Sequence, residues 1–446
     1  MRVSVIGLGK LGSPMAACFA AKGLTTIGVD VNADFVGAIN EGRPPVFEPR
    51  LDEMVSAGRD HLTATTDTAS AVAASDATFV IVPTPSDTDG GFSLRYALEA
   101  CDAIGAALRD RDAYHLVAMT STVMPGSTGG PIKSALESAS GKRVGVDFGL
   151  CYSPEFIALG SVIQDFLNPD FLLIGESDER AGELLASIYR QVVENEPAVA
   201  RLSFVDAELA KLSVNTFVTT KIAFANTLAR ICERLPGASV DAVTSAIGLD
   251  SRIGARYLRG AISYGGPCFP RDNAALASLA RALGAPALVA EATDASNRDG
   301  ITSLAELIVD RLPDGGTVGV LGLSYKPNTD VVEESPGLNL ARTLSDQGVH
   351  VVAFDPAALA NARRAVEGSE IEFRDSADEL IRASDVIVIT TPWKAFATIS
   401  PADLAREGQP RVLIDCWRML EPKRFEQVVD YVPLGLSFVG APEFVA

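Results

Sequence analysis

No uninterrupted apolar run in this chain reaches the roughly 20 residues that a bilayer crossing requires, which excludes an ordinary membrane-spanning helix. An export leader is not expected either. The opening Met1-Arg2-Val3-Ser4-Val5-Ile6-Gly7 already reads as a buried strand entering a glycine turn, so a cytoplasmic protein is expected. Cysteine and histidine are scarce. Cys18, Cys101, Cys151, Cys232, Cys268 and Cys416, with His61, His115 and His350, are scattered away from metal-ligand spacings, so neither a disulfide framework nor a metal is expected. Basic residues are outnumbered, 38 Lys and Arg against 57 Asp and Glu, and the net charge of −19 repels a nucleic-acid backbone with no basic stripe to relieve it. A small phosphorylated ligand is still allowed, because it needs only one local cluster of donors.

At 446 residues, 47% of them hydrophobic, the chain is long enough for two or three globular domains. Short β-rich runs alternate with amphipathic helical stretches from the start: RVSVIGLG, TTIGVD, ATFVIVPTP, HLVAMTST and DFLLIG. Such alternation predicts parallel strands joined by crossover helices. From about Phe204 to Ala290 the apolar spacing changes to three and four, as in AELAKLSVNTFVTTKIAFANTLARICERL, which predicts helices. After the breaker Pro313-Asp314-Gly315-Gly316 the β-rich alternation returns in TVGVLGLSY, HVVAFDP, DVIVITTP and RVLIDCW.

Gly7-Leu8-Gly9-Lys10-Leu11-Gly12 follows the first strand and opens a helix, the setting in which this glycine pattern holds a dinucleotide. Gly7 permits the tight turn, Gly9 lets the backbone approach a pyrophosphate, and Gly12 lets helix and strand pack closely. Asp30 ends the second strand, where a carboxylate accepts from the adenosine ribose and repels a 2′-phosphate, so NAD is the expected cofactor. Thr84 in VPTP and Thr122 in STVMPGS end later strands, on the side where open α/β sheets bind ligands. The fold class read from these patterns is α/β: two Rossmann-like doubly wound domains, 1–198 and 299–446, joined by a central helical domain, 199–298.

The segment Tyr264-Gly265-Gly266-Pro267-Cys268-Phe269-Pro270-Arg271-Asp272 is the most informative in the chain. A lone cysteine is usually a small core hydrophobe. Here glycine and proline on both sides force an irregular backbone that can present the thiol to a ligand, Arg271 can favour thiolate, and Asp272 can orient a water. Lys211 and Asn215 are four apart and share a helix face, with Lys221 and Asn226 continuing the polar pattern. Either that face is merely solvated, or Lys211 stabilises a developing alkoxide while Asn215 holds a hydroxyl or water. Glu155 in SPEF follows a β-like run, as a general base or as an acid near a helix start.

These segments, GLGKLG, IGVD, STVMPGS, SPEF, ELAKLSVNTFVTTKIAFAN, IGLDSRIG, YGGPCFPRD and GLSYKPNTD with ESP, resemble the UDP-glucose/GDP-mannose dehydrogenase family from the first strand to the last domain. The resemblance implies two successive oxidations of a nucleotide-hexose with two NAD. It implies that Cys268 attacks the aldehyde from the first oxidation, so that the second gives a thioester that water releases as the acid. It further implies that Lys211 stabilises oxyanions, that Asn215 and Asp272 position water or the lysine, that Glu155 assists proton transfer and that Thr122 sits near the reacting carbon. Gly7, Gly9, Leu11, Gly12, Asp30, Thr84, Thr122 and Arg271 are implied as cofactor contacts. Glu155, Phe156, Lys211, Arg252, Tyr257, Leu258, Gly265 and Lys326 are implied as substrate contacts, Arg252 reaching the sugar site of a neighbouring subunit. A homodimer through the central helices is implied as well.

Four positions depart from the usual pattern of that family. Leu159 stands for a second glutamate, Phe171 for an arginine after Asn-Pro-Asp, Glu333 for an arginine before Glu-Ser-Pro, and Trp417 for a substrate-contacting arginine that the adjacent Arg418 can replace. The altered periphery leaves GDP-mannose, TDP-glucose and UDP-N-acetylhexosamines open beside UDP-glucose, towards which Phe269 and the Arg252 segment lean. Two other readings remain. One is a simpler hydroxyacid dehydrogenase, which needs neither Cys268 nor the second α/β domain; the other is a non-catalytic nucleotide-sugar binder.

Overall fold

Short apolar runs become the strands of two separate sheets. In the first, β1 (Arg2–Ile6), β2 (Thr25–Val29), β3 (Leu62–Thr65), β4 (Ala77–Val80), β5 (Leu116–Met119), β6 (Gly149–Tyr152), β7 (Phe171–Glu176) and β8 (Ala198–Leu202) lie in the order β3-β2-β1-β4-β5-β6-β7-β8. β4, β5 and β6 are buried along their whole length, which is why they read as continuous apolar runs. The helix Gly12–Ala21 buries its residues from Gly12 to Ala20 with only small side chains and Met15 and Phe19, so it packs closely on the sheet. Phe19 packs tilted against Phe79 with ring centres 4.8 Å apart and edge-on to Phe166 at 5.6 Å; truncating it to alanine costs about 3–5 kcal/mol.

The strand order reverses between β1 and β4: β1 pairs in parallel with β2 on one side and with β4 on the other, Val3 lying opposite Thr26 and Ala77. That reversal opens a crevice at the carboxyl ends of the strands. One pairing departs from the expected parallel pattern: β6 and β7 run antiparallel. After β6 the chain stays at the carboxyl edge through Glu155 and Leu159 and the helix Val162–Leu167, then re-enters the sheet from that same edge.

The second sheet contains β9 (Thr317–Leu321), β10 (His350–Phe354), β11 (Glu372–Phe373), β12 (Val386–Ile389), β13 (Val412–Asp415) and β14 (Asp430–Pro433), in the order β11-β10-β9-β12-β13-β14 and parallel throughout. It repeats the order of the first six strands. In chain order the strands of the two sheets are separated by the helices Phe204–Arg234, Val240–Gly248, Phe269–Ala282 and Leu288–Val309. The computed structural model describes residues 1–437 and divides into two compact units, Met1–Ser213 and the chain from Val214 onward. The end of the expected third domain, 438–446, lies outside the described residues.

Candidate active site

In the first unit the glycine turn is built as a dinucleotide cradle. Gly7 has φ +98°, and a Cβ there would meet the Ile81 carbonyl oxygen at 2.1 Å; a Cβ on Gly12 would meet the Gly7 oxygen at 1.8 Å. A Cβ on Gly9 would meet nothing within 4 Å, which leaves open the space that a pyrophosphate needs. Leu11 is the N-cap of the helix Gly12–Ala21. Asp30 accepts from Leu8 N at 2.6 Å and from Asn32 N at 2.8 Å, one donor per oxygen, so its carboxylate is aimed and still has lone pairs for ribose hydroxyls. These residues fit NAD. At the far side of the crevice Thr84 Oγ1 donates to the Thr122 carbonyl at 2.8 Å, joining the segments after β4 and β5.

The same unit brings Glu155, Phe156 and Lys211 together. Tyr189 Oη donates to Glu155 Oε1 at 2.8 Å, and Lys211 Nζ donates to the Glu155 carbonyl at 2.7 Å while lying 4.5 Å from the Phe156 ring centre. Phe156 in turn stacks on Phe171 at 4.7 Å, so the departure at 171 extends an apolar floor. Burial pushes the Glu155 carboxyl up to about 7, against the opposing effects of the Tyr189 hydroxyl and the Lys211 charge. No helix begins at Glu155, the next being Val162–Leu167, so the helix-start alternative falls and a group able to exchange a proton near neutrality stands. Leu159 lies in the same connection. Two residues here escape sequence reasoning. Tyr189 looks like one more large residue on the packed face of the helix Glu179–Arg190, and Glu48 sits far upstream, yet its two oxygens accept from Gly160 N at 2.8 Å and Val162 N at 2.9 Å and so hold this connection.

In the second unit Cys268 is exposed, whereas the other five cysteines of the chain are buried. It is the N-cap of the helix Phe269–Ala282, whose unsatisfied N–H groups favour negative charge at that end. Asp272 N donates to the Cys268 carbonyl at 2.8 Å, and the buried Asp272 carboxylate accepts from Asn215 Nδ2 at 2.6 Å. Arg271 Nε lies 3.8 Å from the other Asp272 oxygen. The glycine pair fits against the segments after β9. A Cβ on Gly265 would meet the Glu334 carbonyl oxygen at 1.9 Å, and one on Gly266, at φ +89°, would meet the Tyr325 ring at 2.6 Å. Gly266 N also donates to the Glu333 carbonyl at 3.1 Å. Lys326, next to Tyr325, therefore belongs to a loop packed on the cysteine segment, its Nζ 5.9 Å from that ring. Behind the segment Asn297 exchanges two hydrogen bonds with the Tyr264 backbone, and Asn273 links the Tyr264 hydroxyl to Asp294.

Other expected contacts lie apart from this cluster. Arg252 pairs with Asp250 and its side chain is 86% exposed. Lys221 Nζ donates to the carbonyls of Ile253 and Gly254, and Asn226 exchanges bonds with Ala261 N and the Ile262 carbonyl, so both shape the loop that carries Arg252, Tyr257 and Leu258. Tyr257 is half exposed at φ +64° and Leu258 is buried. Trp417 donates its indole N–H to the Thr390 carbonyl at 2.8 Å. The expectation that Arg418 replaces the missing substrate-contacting arginine needs correction. Its guanidinium makes a bidentate pair with Asp241 and donates to the carbonyls of Gly260 and Leu434, so its donors bind the helices to the sheet.

The chain is similar to known proteins along nearly its whole length. The family models for the UDP-glucose/GDP-mannose dehydrogenase NAD binding, central and UDP binding domains match residues 1–193, 205–299 and 319–422. UDP-glucose 6-dehydrogenase AglM of Haloferax volcanii is 39% identical over 94% of this chain and 97% of its own length. GDP-mannose 6-dehydrogenase of Pseudomonas aeruginosa is 34% identical over 90% and 93%. The solved structure of a UDP-glucose dehydrogenase from Pyrobaculum islandicum superposes with a TM-score of 0.88 at 34% identity, covering 98% of both chains. With an NAD cradle at one end, an exposed cysteine on a helix start, and matches along nearly its whole length, the chain belongs to the UDP-glucose/GDP-mannose dehydrogenase family.

Proposed function

We propose that this protein oxidises the 6-hydroxymethyl group of a nucleotide-hexose, UDP-glucose first, to the carboxylate, with Cys268 as the covalent nucleophile. The observation that carries the reading is the exposure of this one thiol on a glycine- and proline-framed helix start, beside the Asn215–Asp272 pair. NAD, when bound, accepts hydride in each of the two oxidations. Glu155 takes the proton from the sugar hydroxyl and Lys211 holds the developing alkoxide. The Cys268 sulfur adds to the aldehyde carbon as a thiohemiacetal, whose oxidation leaves a thioester. Asn215 and Asp272 position the water that releases the acid. Thr122, Thr84 and Arg271 line the cofactor, while Phe156, Gly265, Tyr257, Leu258 and Lys326 contact the nucleotide sugar.

The three working regions are the segments 1–198, 199–298 and 299–446, in the cytoplasm. The active form is a homodimer that brings Arg252 to the partner's sugar site. Phe217, Phe224 and Ile231 support the dimer: they repeat every seven residues on the helix Phe204–Arg234 and are 67%, 52% and 53% exposed.

The test is NADH formed per sugar consumed across a panel of UDP-, TDP- and GDP-hexoses, with Cys268→Ser beside the parent. Two NADH per sugar with one member is the expected result, together with a serine variant that still binds NAD but makes little acid. One NADH per sugar supports the simpler hydroxyacid chemistry; normal acid production by the serine variant removes the thioester.

A further inference from the structure

Thr122 and Lys211 belong to different elements of the first unit, a loop after β5 and the start of the helix Phe204–Arg234. The loop has little regular structure of its own: Gly126 takes φ +95°, and Gly130 inside the following Thr128–Ile132 turn is non-helical. Something must fix its position. Glu208, fully buried and one turn before Lys211 on the same helix, accepts from Gly126 N at 2.6 Å on one oxygen and from Thr128 N at 2.7 Å on the other. Residues 208, 211 and 215 follow i, i+3, i+7 and so share one helix face.

We infer that Glu208 is a positioning residue, a carboxylate clamp that locks the Thr122 loop to the helical turn carrying Lys211 so that the two hold one geometry. The inference rests on the proposed roles of Thr122 and Lys211. A buried carboxylate whose two oxygens each accept a backbone N–H of one loop serves poorly for solubility or steering, and burial penalises its charge. Its two short bonds fix both the distance and the rotation of the loop, as a single bond would not. Rigid placement of this kind matters most to the chemical step, where misplacement by about 1 Å can cost a hundredfold.

Glu208→Gln preserves volume but turns one acceptor into an amide NH2 that opposes a backbone N–H. Saturating kinetics should show kcat lowered roughly 10- to 100-fold, with the dissociation constant for NAD, measured by fluorescence titration, within about threefold of the parent. A folded variant whose kcat stays within about twofold, whatever its melting temperature, overturns the inference. Amide exchange on the unmodified protein provides a second test, valid even if the glutamine variant does not fold. The Gly126 and Thr128 amides should be protected as strongly as those of residues 208–212; exchange at open-loop rates beside a protected helix overturns the clamp. Should the parent fail to reduce NAD with every nucleotide-hexose, the functional reading falls, while the exchange result still decides whether the clamp exists.

Discussion

Glu155 shows how one side chain acquires a use through its surroundings. Its folded carboxyl lies near 7 against an ordinary value of 4.5, and burial is the chief cause. Between those values the folded protein binds the proton more tightly than the unfolded chain, so this group lowers stability progressively as pH rises from 4.5 to 7. In the proposed role of base it must be ionised, so turnover should rise through pH 7 and level off above it. Glu155→Gln, which can still accept from Tyr189, should lower kcat, abolish that limb and melt no lower than the parent at pH 8. A pH profile of kcat in which the limb survives the substitution assigns it to another group. The Glu155 environment was only half legible in the sequence. SPEF marks the residue, but Tyr189 is 34 positions downstream on a helix whose pattern announces only packing, and no local signal links them.

The helix Phe204–Arg234 is the element that the sequence announces best. Its 31 residues, about 46 Å at 1.5 Å each, repeat apolar positions too regularly to be strand or loop. That pattern could not say which apolar residues face the core, because burial depends on neighbours far along the chain. Ala207, Leu212, Ala225 and Ala229 are buried, whereas the larger Phe217, Phe224 and Ile231 are exposed. Large apolar side chains left in water at a seven-residue repeat are worth covering, at about 1.5–3 kcal/mol for each one fully buried. Phe224→Glu should therefore leave the helix folded and shift the proposed dimer to the monomer in sedimentation equilibrium; a dimer unchanged by the substitution places the interface elsewhere. Strands divide the same way. β1, β4, β5, β9 and β12 are apolar runs that the sequence declares, while β3 with its threonines and the two-residue β11 carry too little periodicity to be seen. The antiparallel entry of β7 is invisible for another reason: the apolar run Phe171–Glu176 looks the same in either direction.

Across the whole molecule the two sheets repeat one strand order, and the repetition reaches single residues. Gly7-Leu8 and Asp30 have counterparts in Gly322-Leu323 and Asp355: Leu323 N donates to Asp355 at 2.8 Å as Leu8 N does to Asp30. A Cβ on Gly337 would meet the Gly322 oxygen at 2.1 Å, as one on Gly12 meets Gly7. Yet the surroundings of the two acids differ. Where Gly9 leaves open space the second sheet has Ser324, fully buried, whose hydroxyl donates to Asp355. Asp355 also accepts from Ser324 N, Ala357 N, Ala358 N and the Trp393 indole, which fills the lone pairs that Asp30 keeps for a ribose. Shared topology therefore does not mean shared ligand, and the difference lies in how many donors surround one carboxylate. Calorimetric titration should give one NAD per chain, and Asp30→Ala should weaken it roughly 10- to 100-fold through the loss of charge-assisted hydrogen bonds, with Asp355 offering no substitute. Two NAD per chain, or binding undiminished in the Asp30 variant, would mean that the second sheet takes a dinucleotide despite its saturated acid.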